Sequence, residues 1–200
     1  MMSDVMTDRR LPQTPWQTVG PFFHYALPWE GGETLIGSNP AGEKILIRGQ
    51  VLDGEGNPIP DALIEIWQAN SAGRYAHPDD TQTGKVADAR FVGFGRCPTD
   101  ADGMFSFYTI RPGAVPGPGN SQQAPHIAIG VFGRGLLRRL VTRLYFPESE
   151  LNANDPILAY VEPERVETLI AVREADRTDI ASYKFDIRLQ GDRETVFFNV

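Results

Sequence analysis

The stretch from Ile45 to Tyr75 constrains the fold more than any other part of the chain. It reads ILIRGQVLDGEGNPIPDALIEIWQANSAGRY. Residues 45–52 alternate between two sets of side chains, which is the period of a β-strand. Turn-forming residues from Asp53 to Pro58 follow, and an apolar run from Ala62 to Trp67 comes next. The stretch therefore predicts two strands joined as an opening hairpin, followed by a polar loop that ends at Tyr75.

The remaining sequence predicts an all-β domain of mostly antiparallel strands with long loops. Sixteen prolines and twenty glycines separate many short apolar runs, which is typical of strands and turns. One short helix is expected at residues 162–170, with Pro163 in its first turn. The glycine- and proline-rich run at residues 110–120 is expected to exclude both helix and ladder. Further strands are predicted at residues 91–96, 104–110, 126–132, 138–146 and 182–190.

Composition excludes several classes of protein. The sequence contains no apolar run long enough for a membrane span, and its start lacks the apolar core of a secretion signal. Cys97 is the single cysteine, which excludes an internal disulfide and fits a reducing cytoplasm; a packed thiol is expected rather than a nucleophile. The net charge of −7 argues against nucleic acid. The three arginines of residues 138–146 alternate with apolar residues, so an interface or solvated sheet face is expected there.

The N-terminal part is expected to be an arm rather than part of the sheet domain. Residues 1–15 suggest a flexible tail, and residues 14–25 carry too much aromatic surface for a disordered segment. The arm should therefore dock either on its own sheets or on a second chain. Its lone His24 is expected to be a packing residue. The predicted organisation is an arm and connection over residues 1–40 and one domain over residues 41–200.

These motifs carry a resemblance to a known family. The first strand, the Asp-Gly-x-Gly-x-Pro turn, Ile-Glu-Ile-Trp-Gln-Ala-Asn and Gly-Arg-Tyr resemble the intradiol ring-cleavage dioxygenases. The resemblance extends from about Thr14 to Phe198 and implies a β-sandwich. It also implies a ferric ion held by two tyrosines and two histidines. The implied reaction, part of aromatic-compound catabolism, converts protocatechuate and O2 to 3-carboxy-cis,cis-muconate.

The chain departs from the family at the implied metal site. Tyr75 matches the first iron-binding tyrosine, and His126 matches the first iron-binding histidine. Val115 stands where the second tyrosine is expected, and Ala128 stands where the second histidine is expected. Gln123 replaces an arginine that the family places beside the metal. We therefore expect a vestigial site that holds no metal, with His126 buried and hydrogen-bonded.

Within the family, the resemblance is to α subunits that pair with a β subunit carrying the iron. It implies that Thr18, Gly20, Pro21 and Arg134 line the substrate pocket of that partner. An arginine suits this role because its guanidinium pairs well with the carboxylate of an aromatic acid. The alternatives from the residues alone are an arm that merely packs and a loop arginine in water.

Two other functions remain open. A self-sufficient dioxygenase would need replacement ligands such as His24 or His77, and a non-catalytic binding or assembly module would need none. Tyr75, His77 and Asp79 could form a metal cluster, but Pro78 and the paired aspartates favour an ordinary surface loop.

Overall fold

The computed structural model describes residues 13–37, 39–175 and 180–199. Most of the expected tail at residues 1–15 lies outside these ranges. The strands are β1 (Lys44–Leu52), β2 (Leu63–Trp67), β3 (Phe94–Pro98), β4 (Met104–Ile110), β5 (Val115–Pro116), β6 (Gln122–Gln123), β7 (His126–Phe132), β8 (Leu140–Tyr145), β9 (Val172–Arg173), β10 (Ala181–Lys184) and β11 (Ile187–Arg188).

The first sheet is built around β1. On one side β1 pairs antiparallel with β4, and along the other side it pairs in parallel with β10 and then β11. The short strand β9 pairs antiparallel with β10. The second sheet has the order β3–β2–β7–β8 and is antiparallel throughout.

The two sheets pack face to face over an apolar core. Ile45, Ile47 and Phe107 come from the first sheet, and Ile66 and Ile127 come from the second. All five side chains are at most 1% exposed. The predicted all-β sandwich is therefore confirmed, and its cause is the alternation of apolar side chains along the strands.

The expected opening hairpin is wrong in its pairing. β1 and β2 lie in different sheets, and the turn between them carries the chain from one sheet to the other. A single bridge between Leu52 and Pro58 is what remains of the hairpin. Strands β4, β10 and β11, which come from distant parts of the chain, occupy both edges of β1 and leave no edge for β2.

The predicted strand at residues 182–190 is interrupted. β10 and β11 are separated by Phe185 and Asp186, opposite Gly49 of β1. A Cβ at Gly49 would lie 1.8 Å from the Phe185 carbonyl oxygen, so the close approach requires glycine. The Asp186 carboxylate accepts the Gln50 N–H at 3.1 Å, in the place of a backbone carbonyl of the ladder.

The helices are short. The helix expected at residues 162–170 is present as the 3-10 helix Pro163–Leu169, with proline at its start. Helix α1 (Phe23–Ala26) and two further 3-10 helices, Glu150–Asn154 and Leu158–Tyr160, were not predicted. In the described part of the chain, no helix combines the length and apolarity needed to cross a membrane.

The expectation that residues 110–120 exclude a ladder is wrong at one point. Strand β5 falls inside this run and pairs with β6 over two residues on each side. Pro116 has no N–H to donate to the ladder, and its carbonyl accepts a hydrogen bond from the Gln123 side chain at 2.8 Å. The next N–H, from Gly117, donates to the Ser121 carbonyl at 2.9 Å and closes the small loop.

Candidate functional site

A cleft of about 660 Å³ lies over the outer face of the second sheet. Strand alternation turns Trp67, Ala128 and Arg143 away from the core, and the register places them in one cross-strand row. We call this the outer cleft, and its walls include Trp67, Tyr75, Val115, Gln123, His126 and Arg143. Three of the four family ligand positions therefore line one cleft, and Ala128, the fourth, belongs to the row beneath it.

Tyr75 forms an aromatic wall with Trp67. The two rings stack with centroids 5.6 Å apart and planes 11° from parallel. The Tyr75 N–H donates to Asp80 Oδ2 at 2.7 Å, which holds the loop end in position. Burial raises the pKa of Tyr75, although the positive charge of Arg143 opposes this. The phenol is therefore neutral at neutral pH and needs a strong Lewis acid to become a phenolate.

Lys85 joins the loop of Tyr75 to the loop of Val115. Its Nζ donates to the Gly73 carbonyl at 3.0 Å and to the Ala114 carbonyl at 2.9 Å. Gly73 has φ of +77°, and a Cβ there would lie 2.0 Å from the Ala114 oxygen. Val115 is buried and presents an aliphatic side chain with no donor atom to the cleft.

His126 begins β7 and is 5% exposed. Its Nδ1 lies 2.8 Å from the Ala124 carbonyl, so Nδ1 carries the proton and Nε2 is left as an acceptor. Burial, reinforced by the Arg143 charge, lowers the pKa of His126 to about 4. The ring is therefore neutral at neutral pH. Asp155 Oδ2 accepts the Ala124 N–H at 2.7 Å and anchors the entrance to the strand.

Arg143 places a positive charge in the outer cleft. Its Nη1 donates to Gln123 Oε1 at 2.6 Å and weakly to the Tyr145 hydroxyl at 3.4 Å. No ion pair joins Arg143 to a carboxylate in the described ranges. Arg143 was predicted only as one of three arginines on an interface or solvated sheet face, and no sequence pattern marked Lys85 or Asp155. The position of Arg143 could not be predicted from the sequence, because the register of β7 and β8 is what places Arg143 opposite Ala128.

The residues of the outer cleft do not fit ferric iron. Tyr75 and His126 offer donor atoms, whereas Val115 and Ala128 offer none. Within residues 13–37, 39–175 and 180–199, no three His, Cys, Asp or Glu side chains are grouped to hold a metal ion. The Arg143 guanidinium adds electrostatic repulsion for any cation placed beside the remaining donors.

The other predicted site residues lie at the far end of β7. Arg134 follows that strand and forms an ion pair with Asp61, with 62% of its side chain exposed. The neighbouring Gly135 N–H donates to Thr18 Oγ1 at 3.2 Å. The segment of residues 18–21, which includes Gly20 and Pro21, is thereby attached to the Arg134 loop. We call residues 18–21 together with Arg134 the arm surface.

Aromatic side chains beside the arm surface remain exposed. Trp16 is 62% exposed, Phe22 is 75% exposed and Tyr25 is 78% exposed, whereas Phe23 is buried. The Arg138 guanidinium lies 5.5 Å from the centroid of the Trp16 ring. Residues 14–25 thus bury one aromatic ring, that of Phe23, against their own chain and leave three accessible.

The other histidines and the cysteine lie outside the centre of the outer cleft. His24 is half-buried in α1 and does not line the cleft. His77 is exposed at the cleft rim, with its Nδ1 3.7 Å from Asp79 Oδ2. Cys97 packs against the core and burial raises its pKa, which confirms the expected packed thiol.

Comparison with known proteins gives a consistent assignment. A model of the family described as "Dioxygenase" matches residues 19–191. The protocatechuate 3,4-dioxygenase alpha chain of Burkholderia cepacia is 42% identical, covering 95% of this chain and 98% of that protein. The beta chain from the same organism is 36% identical, covering 95% of this chain and 81% of that protein.

A solved structure agrees with these relatives. The dioxygenase domain of a dioxygenase and carbohydrate-binding fusion from Streptomyces sp. SirexAA-E is 27% identical, with a TM-score of 0.61. The match covers 80% of this chain and 87% of that one. The chain therefore belongs to the intradiol dioxygenase family, as a homologue of its protocatechuate 3,4-dioxygenase α chains.

Proposed function

We propose that this chain is an α subunit that acts with a homologous β subunit in the cleavage of protocatechuate by O2 to 3-carboxy-cis,cis-muconate. In this proposal the ferric ion that supplies the oxidative chemistry is bound by the β subunit. The observation that carries the proposal is the outer cleft, where two of the family's donor positions are lost and Arg143 adds a positive charge. Relatives named as separate α and β chains support the pairing.

We propose further that the arm, residues 1–40, docks on the β subunit. Thr18, Gly20, Pro21 and Arg134 would then complete its substrate pocket. The exposed aromatic side chains of the arm support docking, because they form apolar surface that a partner would bury. An exposed guanidinium supports the role of Arg134, because protocatechuate carries a carboxylate. A reducing cytoplasm is the proposed compartment, in keeping with the single cysteine.

Iron content and protocatechuate-dependent O2 uptake test the division of labour. Both are measured for this chain alone and for the chain co-expressed with a β subunit. We expect the chain alone to be colourless and inactive, and the complex to be coloured and active. Stoichiometric iron and turnover in the chain alone would instead support a self-sufficient dioxygenase. An active β subunit that never co-purifies with this chain would support an assembly or binding module.

Arg134→Ala in the complex tests the pocket assignment. We expect KM for protocatechuate to rise about tenfold or more, because a charge-assisted contact to the carboxylate is lost. Iron content should stay unchanged. Arg134→Lys should give an intermediate KM, since it keeps the charge without the planar fork. Arg165→Ala removes a partly exposed arginine of the 3-10 helix Pro163–Leu169 and serves as the control. Unchanged kinetics and binding in Arg134→Ala would contradict the assignment.

A further inference from the structure

We propose that the outer cleft of this chain binds a small aromatic carboxylate. Arg143 would hold the carboxylate, and the wall formed by Trp67 and Tyr75 would contact the ring. The proposal concerns a binding site within this chain and does not depend on where the ring is cleaved.

Most donors of the Arg143 guanidinium have no acceptor in the described part of the chain. Both of its hydrogen bonds leave from Nη1, to Gln123 and to Tyr145. Its Nε and Nη2 donate to no protein group in the described part of the chain. A guanidinium offers five N–H donors, and a carboxylate accepts two of them in parallel. Arg143 lines the cleft, and its unused donors match one carboxylate.

The cleft has the size of a small-molecule site and an aromatic wall on one side. A volume of about 660 Å³ lies in the range of small-molecule pockets. Trp67 and Tyr75 stack nearly in parallel and present a flat surface to a planar ligand. On the strand next to Arg143, His126 leaves Nε2 as an acceptor for a ring hydroxyl. A planar acid is therefore favoured over an aliphatic one.

The charged side chains around the cleft favour a monocarboxylate over a phosphate. Asp79 and Asp80 also line the cleft, so its acidic rim opposes a multiply charged anion. The Asp80 carboxylate is already occupied, because it accepts the Tyr75 N–H at 2.7 Å and the Gln82 N–H at 2.9 Å. Among the described residues that line the cleft, Arg143 is the only arginine or lysine, which suits a single negative charge.

Calorimetric titration of the purified full-length chain with benzoate tests the proposal. Phenol, which lacks the carboxylate, and acetate, which lacks the ring, are titrated in parallel. We expect one benzoate site per chain and binding at least about tenfold weaker for phenol and for acetate. Inorganic phosphate is expected to compete poorly. The absence of benzoate binding, or acetate binding as tight as benzoate, would overturn the proposal.

Variants then assign the binding to Arg143. Arg143→Met should weaken benzoate binding by about tenfold or more, and Arg143→Lys should weaken it less. Arg165→Met, which removes an arginine outside the cleft, should stay within about twofold of the native chain. If Arg143→Met does not fold, as judged by thermal denaturation, Arg143→Lys and the three probes decide the question. Equal benzoate affinity in the native chain and the folded Arg143→Met variant would overturn the proposal.

Discussion

The two ends of β7 carry two very different regions. His126 at its start lies in the outer cleft, which is partly buried and built on paired strands. Arg134, just beyond its end, lies on the arm surface, which is exposed and connected by an ion pair and one loop hydrogen bond. The six residue steps of β7 from His126 to Phe132 separate them by roughly 20 Å.

The difference lies in how each region is held in place. The outer cleft has a hydrogen-bonded framework that includes the Lys85 bonds and the His126–Ala124 bond, although Val115 and Ala128 offer no donor atoms. The arm surface has little framework of its own and remains available for a partner. Hydrogen bonds therefore fix the cleft at the start of β7. The surface proposed to contribute to a partner's pocket lies beyond the other end of that strand.

Restoring the missing ligands should give the largest effect. Val115→Tyr with Ala128→His places four donors in the outer cleft, but Arg143 still repels a cation. We expect Arg143→Leu to raise the iron content above that of the double variant, towards about one ferric ion per chain with visible phenolate-to-iron absorption. Metal analysis and absorption spectra of the double and triple variants measure this. Full iron loading of the double variant would remove the role assigned to Arg143, and an iron-free triple variant would show that donors alone are insufficient.

The pH dependence of stability should give the next largest effect. Burial and the Arg143 charge lower the pKa of His126 from 6.5 to about 4, so the unfolded chain binds a proton more readily. The ring is neutral in both states above about pH 6.5 and contributes nothing there, but it destabilises the fold increasingly as the pH falls towards 4, by at most about 3 kcal/mol.

Urea denaturation from about pH 7 to about pH 4.5 measures that loss. The His126→Gln variant should show a shallower decline in unfolding free energy over the same range, since carboxylates contribute equally to both proteins. Identical slopes would show that His126 is not held neutral by the outer cleft.

The arm surface should give the smallest effect on stability. Thr18→Ala removes an exposed hydrogen bond to Gly135 and should change the unfolding free energy by less than about 0.5 kcal/mol. The matched control is Thr109→Val, which removes a buried bond to Gln68 Oε1 of 2.7 Å and should cost about 1–3 kcal/mol. Urea denaturation of both variants measures this. A large loss in Thr18→Ala would show that the arm is part of the fold itself.

Much of the fold could be predicted from the sequence. The alternation of side chains located β1, β2, β4 and β7, and the apolar runs indicated a sandwich once the family resemblance was added. The predicted opening hairpin was wrong because strand pairing depends on burial over the whole domain. Local turn residues such as Asp53 carry no information about it. Two-residue strands such as β5 escaped prediction because they depend on a few hydrogen bonds rather than on a periodic pattern.

The sequence by itself determined that two side-chain donors for a metal are missing, since Val115 and Ala128 have no donor atoms in any fold. It also determined the family, through motifs spread over nearly the whole chain. Only the tertiary structure decided that Arg143 stands opposite Ala128 and that Thr18 contacts the Arg134 loop. The physical reason is that register and loop contacts join residues far apart in the chain, and no local pattern of side chains encodes them.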